Sequence, residues 1–279
     1  MRTPILIVAT GKQGVGKTHE TLKQMLLQAY IATHRRKGLL FDTNNEFGSY
    51  KIDGKIHRIK HIQHNEIIGY GNSQNPEVRR IIPFHQNGMG RPMSPEETEK
   101  LLIRVLEEFR GGSLLIEDLN RIYGDSIPVS LSGMLCNVRH RNCDVLYHLQ
   151  SVGRLLPKMR QNTSIVRYHY QLDGVDESSE KLGGEIEIFY IAEKLVNAQY
   201  DAGNKRFFVY IYRDDKKLKG EFSQKMLAVA IENYILENPS TTRALLNRRD
   251  RAGKKMYNYD EAVRLKTHEL FNKYWGNVA

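Results

Sequence analysis

Short continuous apolar runs alternate along the chain with stretches whose apolar positions recur every three or four residues. The runs are "PILIVAT", "GLLFD" ending on Asp42, "SLLIED", "CDVLYHLQ" and "TSIVRYHYQL". Each has the length of a strand buried on both faces, which reads as near-unbroken apolar sequence. Between the first two lies "THETLKQMLLQAYIATHR", with Leu22, Met25, Leu26 and Ala29 at helical spacing. A second helix is punctuated clearly in "MSPEETEKLLIRVLEEFRGG". Ser94 can cap it, Pro95 fits its first turn, Glu97 completes a capping box, and Gly111 and Gly112 stop it. "SLSGMLCNVRHRN" has a third helical pattern, "KIHRIKHI" and "RRIIPFH" suggest short strands, and "NGMGRP" reads as a flexible loop.

Strands alternating with helices predict an α/β fold, a mostly parallel central sheet with helices on both faces. Past about residue 205 the pattern changes. "RFFVYIYRDDKKLKGEF" reads as a strand and turn, "SQKMLAVAIENYILEN" as a helix, and Pro239 and Ser240 precede a basic tail. The expected organisation is a domain over residues 1–205 and a small, mainly helical C-terminal region over 206–279.

The charge balance adds a partner to this picture. The 42 Lys and Arg against 32 Asp and Glu leave a net charge of +10, which suits a polyanion, nucleic acid above all. Cys136 and Cys143 are the only cysteines, too few for a disulfide framework and without zinc-site spacing. A reducing, cytoplasmic setting is expected. The N-terminal apolar run is too short for a signal peptide, and no later stretch approaches a bilayer's thickness, so no membrane partner is expected.

The most specific chemistry is "GKQGVGKT", Gly11–Lys12–Gln13–Gly14–Val15–Gly16–Lys17–Thr18. Its glycines let backbone N–H groups turn inward around phosphates at the positive end of the following helix. Lys17 reaches the β and γ phosphates of ATP or GTP in such a loop, and the Thr18 hydroxyl holds Mg2+. The strand before it and the helix after it supply the context that the motif requires. Hydrolysis needs an acidic station beside the loop, and "SLLIED" delivers Glu117 and Asp118 to the carboxyl edge of the sheet. One carboxylate is expected in the Mg2+ shell, Glu117 being the candidate, and one orients or deprotonates the attacking water. Gln150 ends the fourth strand, where a polar side chain points at the γ-phosphate or its water. Arg139, eleven residues upstream, suits an arginine finger at a subunit edge, with Arg141 a near rival.

Together these residues resemble the FtsK–HerA branch of the P-loop (ASCE, RecA-like) ATPases, which includes many viral genome-packaging motors. The resemblance rests on "GKQGVGKT", "GLLFDTNNEFG", "SLLIED" and "RHRNCDVLYHLQS" and covers roughly residues 3–170. In that family an arginine precedes the fourth strand and a glutamine ends it, which matches Arg139 and Gln150. Asp42 and Glu46 fall in an acidic turn common in HerA-like members. The family's usual Asp–Glu order is reversed here, which leaves the roles of Glu117 and Asp118 open. The resemblance implies ATP hydrolysis coupled to translocation of double-stranded DNA by a pentameric or hexameric ring, with a capsid portal as a further partner. Two alternatives stand beside it: a partition ATPase of the ParA and MinD type, suggested by Lys12, and a Zot-like phage assembly ATPase.

For DNA contact the sequence offers the tail cations Arg243, Arg248, Arg249, Arg251, Lys254, Lys255, Arg264, Lys266 and Lys273, with aromatic faces at Tyr257, Tyr259 and Trp275. Lys51, Lys55, Arg58 and Lys60, or the segment around Arg91, are the other candidates. His57, His61 and His64 lie close in sequence but lack a carboxylate or cysteine at zinc-like spacing.

Overall fold

The computed structural model describes residues 4–52, 54–85, 90–117, 133, 141–155, 157–176 and 179–276. By compactness the chain divides into two units, 1–165 and 166–279.

The first unit is a parallel sheet between two helical layers. Its strands are β1 (Leu6–Thr10), β2 (Lys37–Phe41), β5 (Lys60–His61), β6 (Val78–Ile81), β7 (Gly112–Ile116) and β8 (Asp144–Leu149), in the spatial order β1-β8-β7-β2-β6-β5. Every pairing among them is parallel. The apolar runs became these strands because both faces are covered. On one face α1 (Lys17–Tyr30) packs Leu22, Met25, Leu26 and Ala29 against Leu40, Leu115 and Leu146. On the other, α2 (Ile67–Asn72) and α3 (Pro95–Glu108) bury Ile67, Leu102 and Val105 against Leu39, Phe41, Leu114, Ile116, Val145 and Tyr147. Residues alternate between the two cores at period two along each strand. Each fully buried aliphatic side chain contributes on the order of 1.5–3 kcal/mol, so the two cores together fix the strand register. The α/β fold expected from the sequence is the fold observed.

The capping signals of α3 are realised atom by atom. Ser94 Oγ accepts from Glu97 N at 3.3 Å, and Glu97 Oε2 accepts from Ser94 N at 2.8 Å. "KIHRIKHI" divides at Ile59: β4 (Lys55–Arg58) pairs antiparallel with β3 (Ser49–Ile52), while β5 joins the main sheet. Among the sequence readings, "NGMGRP" lies partly, and "SLSGMLCNVRHRN" almost wholly, outside the described residues. A short helix, α4 (Pro157–Asn162), follows β8.

The second unit holds β9 (Ile165–His169), α5 (Ile186–Asp201), β10 (Phe208–Tyr212), β11 (Lys217–Lys219), α6 (Gln224–Glu237) and α7 (Tyr259–Tyr274). β10 and β11 form an antiparallel hairpin, and α6 is capped by Ser223, whose Oγ accepts from Met226 N at 3.2 Å. The stretch "NRRDRAGKK" is a closed turn. Asp250 Oδ1 accepts from the N–H groups of Ala252 and Lys254, each at 2.9 Å, and Arg249 bridges Lys255.

At the amino edge of the first unit's sheet, Asp144 is buried. It accepts Ile5 N at 3.0 Å and pairs with Arg36, whose Nη2 also donates to the carbonyls of Gly112 and Asn142, each at 3.0 Å. That one ion pair ties β1, β7 and β8 together. Asp144→Ala strands the Arg36 guanidinium and should cost about 3–5 kcal/mol; urea unfolding of the variant against wild type measures it.

Candidate functional site

β8 lies between β1 and β7 in the sheet, so the chain leaving each of the three meets above one carboxyl edge. Gly11 N donates to Leu149 O at 3.2 Å, which anchors the start of the glycine loop to the end of β8. The loop then passes through Gly14 (φ 84°) and Gly16 (φ 89°), left-handed conformations that favour glycine. Gly16, the N-cap of α1, has no side chain over the helix's positive end, so backbone N–H groups of the first turn are what an anion would meet there. Lys17 Nζ donates to the carbonyls of Gly11 and of Lys12, the latter at 2.9 Å, so its ammonium lies over the loop.

Strand alternation delivers the next groups. Leu115 and Leu146 face α1, so Glu117, Gln150 and His148 continue the same rows. Thr18 Oγ1 donates to Glu117 Oε1, joining the last loop residue to the acidic station. The Glu117 residue is 7% exposed, and His148 is 3% exposed beside it, with His148 Nδ1 3.9 Å from Glu117 Oε1. His148 Nε2 lies 3.0 Å from Thr21 Oγ1, and Thr21 in turn donates to Lys17 O at 3.1 Å. His148 is thus held by α1 with the Glu117 carboxylate close beside it. Sequence reasoning missed it. The signal was its place two residues before Gln150, on the same face of the strand.

The turn after β2 closes the cleft. Asp42, fully buried, accepts from Glu46 N and Phe47 N, each at 3.0 Å, and pairs with Arg80 at 2.8 Å. Arg80 also donates to Asn45 Oδ1 at 2.9 Å, and Asn45 adopts a left-handed φ of 56°. With its oxygens engaged inward, Asp42 is the scaffold of this turn, and Asn44, Glu46 and Phe47 face the cleft. Thr43 Oγ1 bonds Glu117 O at 3.0 Å, which fastens the turn to the end of β7.

The resulting cleft has a volume of about 340 Å3. Gln13, Gly14, Gly16, Lys17 and Thr18 line it from the loop, Glu117, His148 and Gln150 from the strand ends, and His19 from α1. Chemically it offers N–H donors and an ammonium for a phosphate chain, and hydroxyl and carboxylate oxygens for a hard divalent cation. Gln150 is exposed at the rim. Asp118 and Arg139 lie outside the described residues.

Arg141 sits at the opposite edge. Its guanidinium donates to Leu106 O in the last turn of α3, and its carbonyl accepts from Gly111 N at 3.0 Å. A cation on the carbonyls that end a helix is a structural cap. Cys143, also at that edge, is fully buried, and burial with Asp144 nearby pushes its thiol up to about 12, far from a reactive thiolate. Of the clustered histidines, His57 stacks on Tyr30 with ring centroids 5.6 Å apart, and His64 Nε2 lies 2.9 Å from Ile82 O. Among the described residues no group of three or more His, Cys, Asp or Glu is placed to hold a metal ion, and no helix is long and apolar enough to cross a membrane.

No protein-family model matches the chain, and no curated protein sequence matches it. Among solved structures it is similar to the genome-packaging NTPase B204 of Sulfolobus turreted icosahedral virus 2 in complex with ATP-gammaS: 13% identity, 78% of this chain, 97% of that one, TM-score 0.48. The DNA-packaging ATPase B204 of Sulfolobus turreted icosahedral virus has the same identity, coverage and TM-score. The N-terminal domain of zonular occludens toxin from Neisseria meningitidis is similar at 15% identity over 61% of this chain and 79% of that one, TM-score 0.33. Likeness at this level transfers no residue roles, which rest here on the chain's own geometry.

His148 is fixed to α1 through Thr21 and lies beside Glu117 in the lining of the cleft. His148→Ala is therefore expected to lower turnover of nucleoside triphosphate about 10- to 100-fold while nucleotide affinity, read by fluorescence titration, stays within about three-fold of wild type.

Proposed function

We propose that the chain is an ATPase of the FtsK–HerA type, working as a homo-oligomeric ring that drives double-stranded DNA in the manner of a viral genome-packaging motor. The observation that carries the reading is convergence: Lys17, Thr18, Glu117 and Gln150, four residues from three separate segments, line one cleft at one sheet edge.

In this reading the loop N–H groups cradle the triphosphate, and Lys17 exchanges its two carbonyl acceptors for β- and γ-phosphate oxygens. Thr18 and Glu117 already bring two oxygens together, a donor set that fits Mg2+. Bound there, Mg2+ would supply charge neutralisation between the β and γ phosphates. Glu117 and Asp118 share the acidic work: one carboxylate in the cation's shell, one accepting a proton from the attacking water. Gln150, at the rim, orients that water against the γ-phosphate. Arg139 of a neighbouring copy supplies the charge that stabilises the transition state, so each subunit's hydrolysis depends on the next. The surplus of +10 suits a duplex read through its backbone, which carries no base specificity. A capsid portal is the protein partner this role implies, and the host cytoplasm is its setting.

The test is steady-state ATPase rate with and without long double-stranded DNA, at low and moderate salt. Strong stimulation that weakens with salt is expected, and its absence would overturn the DNA-driving reading. A mass measurement with ATP gives five or six subunits for the ring; a dimer would instead favour a partition-type switch. Arg139→Ala is expected to lose at least about 1,000-fold in turnover with nucleotide binding retained, and full activity in that variant would remove Arg139 from the site.

A further inference from the structure

The β3–β4 hairpin follows directly from the turn that lines the cleft, and it lies against the helix that begins at the glycine loop. The antiparallel register pairs Tyr50 with His57, Lys51 with Ile56, and Ser49 with Arg58. Alternation therefore sorts the hairpin into two faces. Tyr50 and His57 point to α1: Tyr50 Oη is hydrogen-bonded to His19 Nδ1 near its start, and His57 stacks on Tyr30 at its end. Lys51, Ile56 and Arg58 point the other way. Ile56 is 66% exposed between the two cations, so this face is not covered by the unit that carries it. Lys55, on the other face by register, and Lys60, in β5, are exposed as well, and among the described residues none of these four cations forms an ion pair.

We propose that the outward face of this hairpin, centred on Lys51 and Arg58, is a contact surface for the phosphate backbone of duplex DNA, and that Tyr50 links it to the nucleotide site. The proposal rests on the DNA-driving reading above. Two physical arguments select the hairpin. A backbone grip needs cations that protein carboxylates have not already neutralised, spaced along a rigid strand. A grip that responds to nucleotide also needs a mechanical connection to the cleft. Here His19 lines the cleft, follows Thr18 directly, and holds Tyr50, the residue before Lys51. Any movement of the first turn of α1 on filling or emptying the cleft is passed to the strand that carries the cation. The basic turn at 248–255 is equally exposed, but it belongs to the other compact unit.

The experiment uses the full chain and a fluorescein-labelled duplex of random sequence, titrated by anisotropy across a salt series. The variants are Lys51→Ala/Arg58→Ala, Arg249→Ala/Lys255→Ala as a charge-matched control, and Tyr50→Phe. The hairpin double variant is expected to weaken duplex binding at least about ten-fold and to reduce the log–log salt slope by about two, as for two lost phosphate contacts. Its DNA-free ATPase rate should stay within two-fold of wild type, roughly the scatter of a sound surface change. The control should lose less. Tyr50→Phe should bind duplex like wild type and lose the stimulation of ATPase by DNA.

Wild-type affinity and slope in the hairpin double variant would overturn the contact surface while leaving the motor reading standing. Undiminished stimulation in Tyr50→Phe would overturn the link. If the wild-type chain binds neither duplex nor single strand, the DNA reading falls first and the hairpin with it, and an acidic protein surface becomes the partner to seek.

Discussion

Residues 115 and 117 of one strand and 146, 148 and 150 of its neighbour share a face of the sheet, the face that α1 covers. Low in the sheet that row is apolar, Leu115 and Leu146 against Leu22, Met25 and Leu26. At the carboxyl edge it turns polar, and Glu117 and His148 meet Thr18 and Thr21 in the first turns of the same helix. Because the side-chain period is two, a slip of one residue in either strand would send its polar groups into the core of Leu102 and Val105. The buried leucines below therefore hold the polar groups above in position. Packing energy and site geometry are the same constraint seen at two heights in the sheet.

Two buried carboxylates near that edge show how the fold separates scaffold from chemistry. Asp42 is fully buried and accepts from the Arg80 guanidinium and two backbone N–H groups. Such saturation is what a buried charge requires to be tolerated. Glu117 is differently placed. It borders the cleft, receives a hydroxyl from Thr18, and lies by the positive end of α1, whose field favours a carboxylate. An acid stabilised by a field and a hydroxyl can still take a cation or a proton. An acid enclosed by a guanidinium cannot do so without loss of the turn.

Much of this was legible beforehand, for identifiable reasons. The sheet could be read because parallel strands buried on both faces leave unbroken apolar runs, and α3 because Ser94, Pro95 and Glu97 state its start in local hydrogen-bonding terms. The glycine loop was legible because its φ angles exclude most other residues. His148 was not: a histidine in an apolar strand carries no local signal, and its role arises from Thr21 and Glu117, which are 127 and 31 positions away in sequence. The part Asp42 plays in its acidic turn was hidden for the same reason, since its pairing with Arg80 is a long-range fact. The helix over Ile186–Asp201 lay in a stretch that the sequence reading left unassigned, although Ile188, Ile191, Ala192 and Leu195 recur at helical spacing.

Net charge is the clearest case of a quantity that composition overstates and structure sorts. Arg36, Arg80 and Arg213 are bound to Asp144, Asp42 and Glu185, and Arg141 caps α3. In the tail, Lys266 and Lys273 pair with Glu269 and Glu187. The arginines among these hold the fold, and the two lysine pairs at the surface are partly neutralised. Other cations are exposed, among them those of the β3–β4 hairpin and of the turn closed by Asp250. A phosphate chain releases its counterions only to cations of that second kind. The relevant number is therefore smaller than the formal net charge, because cations already bound to carboxylates contribute less to a polyanion's grip than open ones.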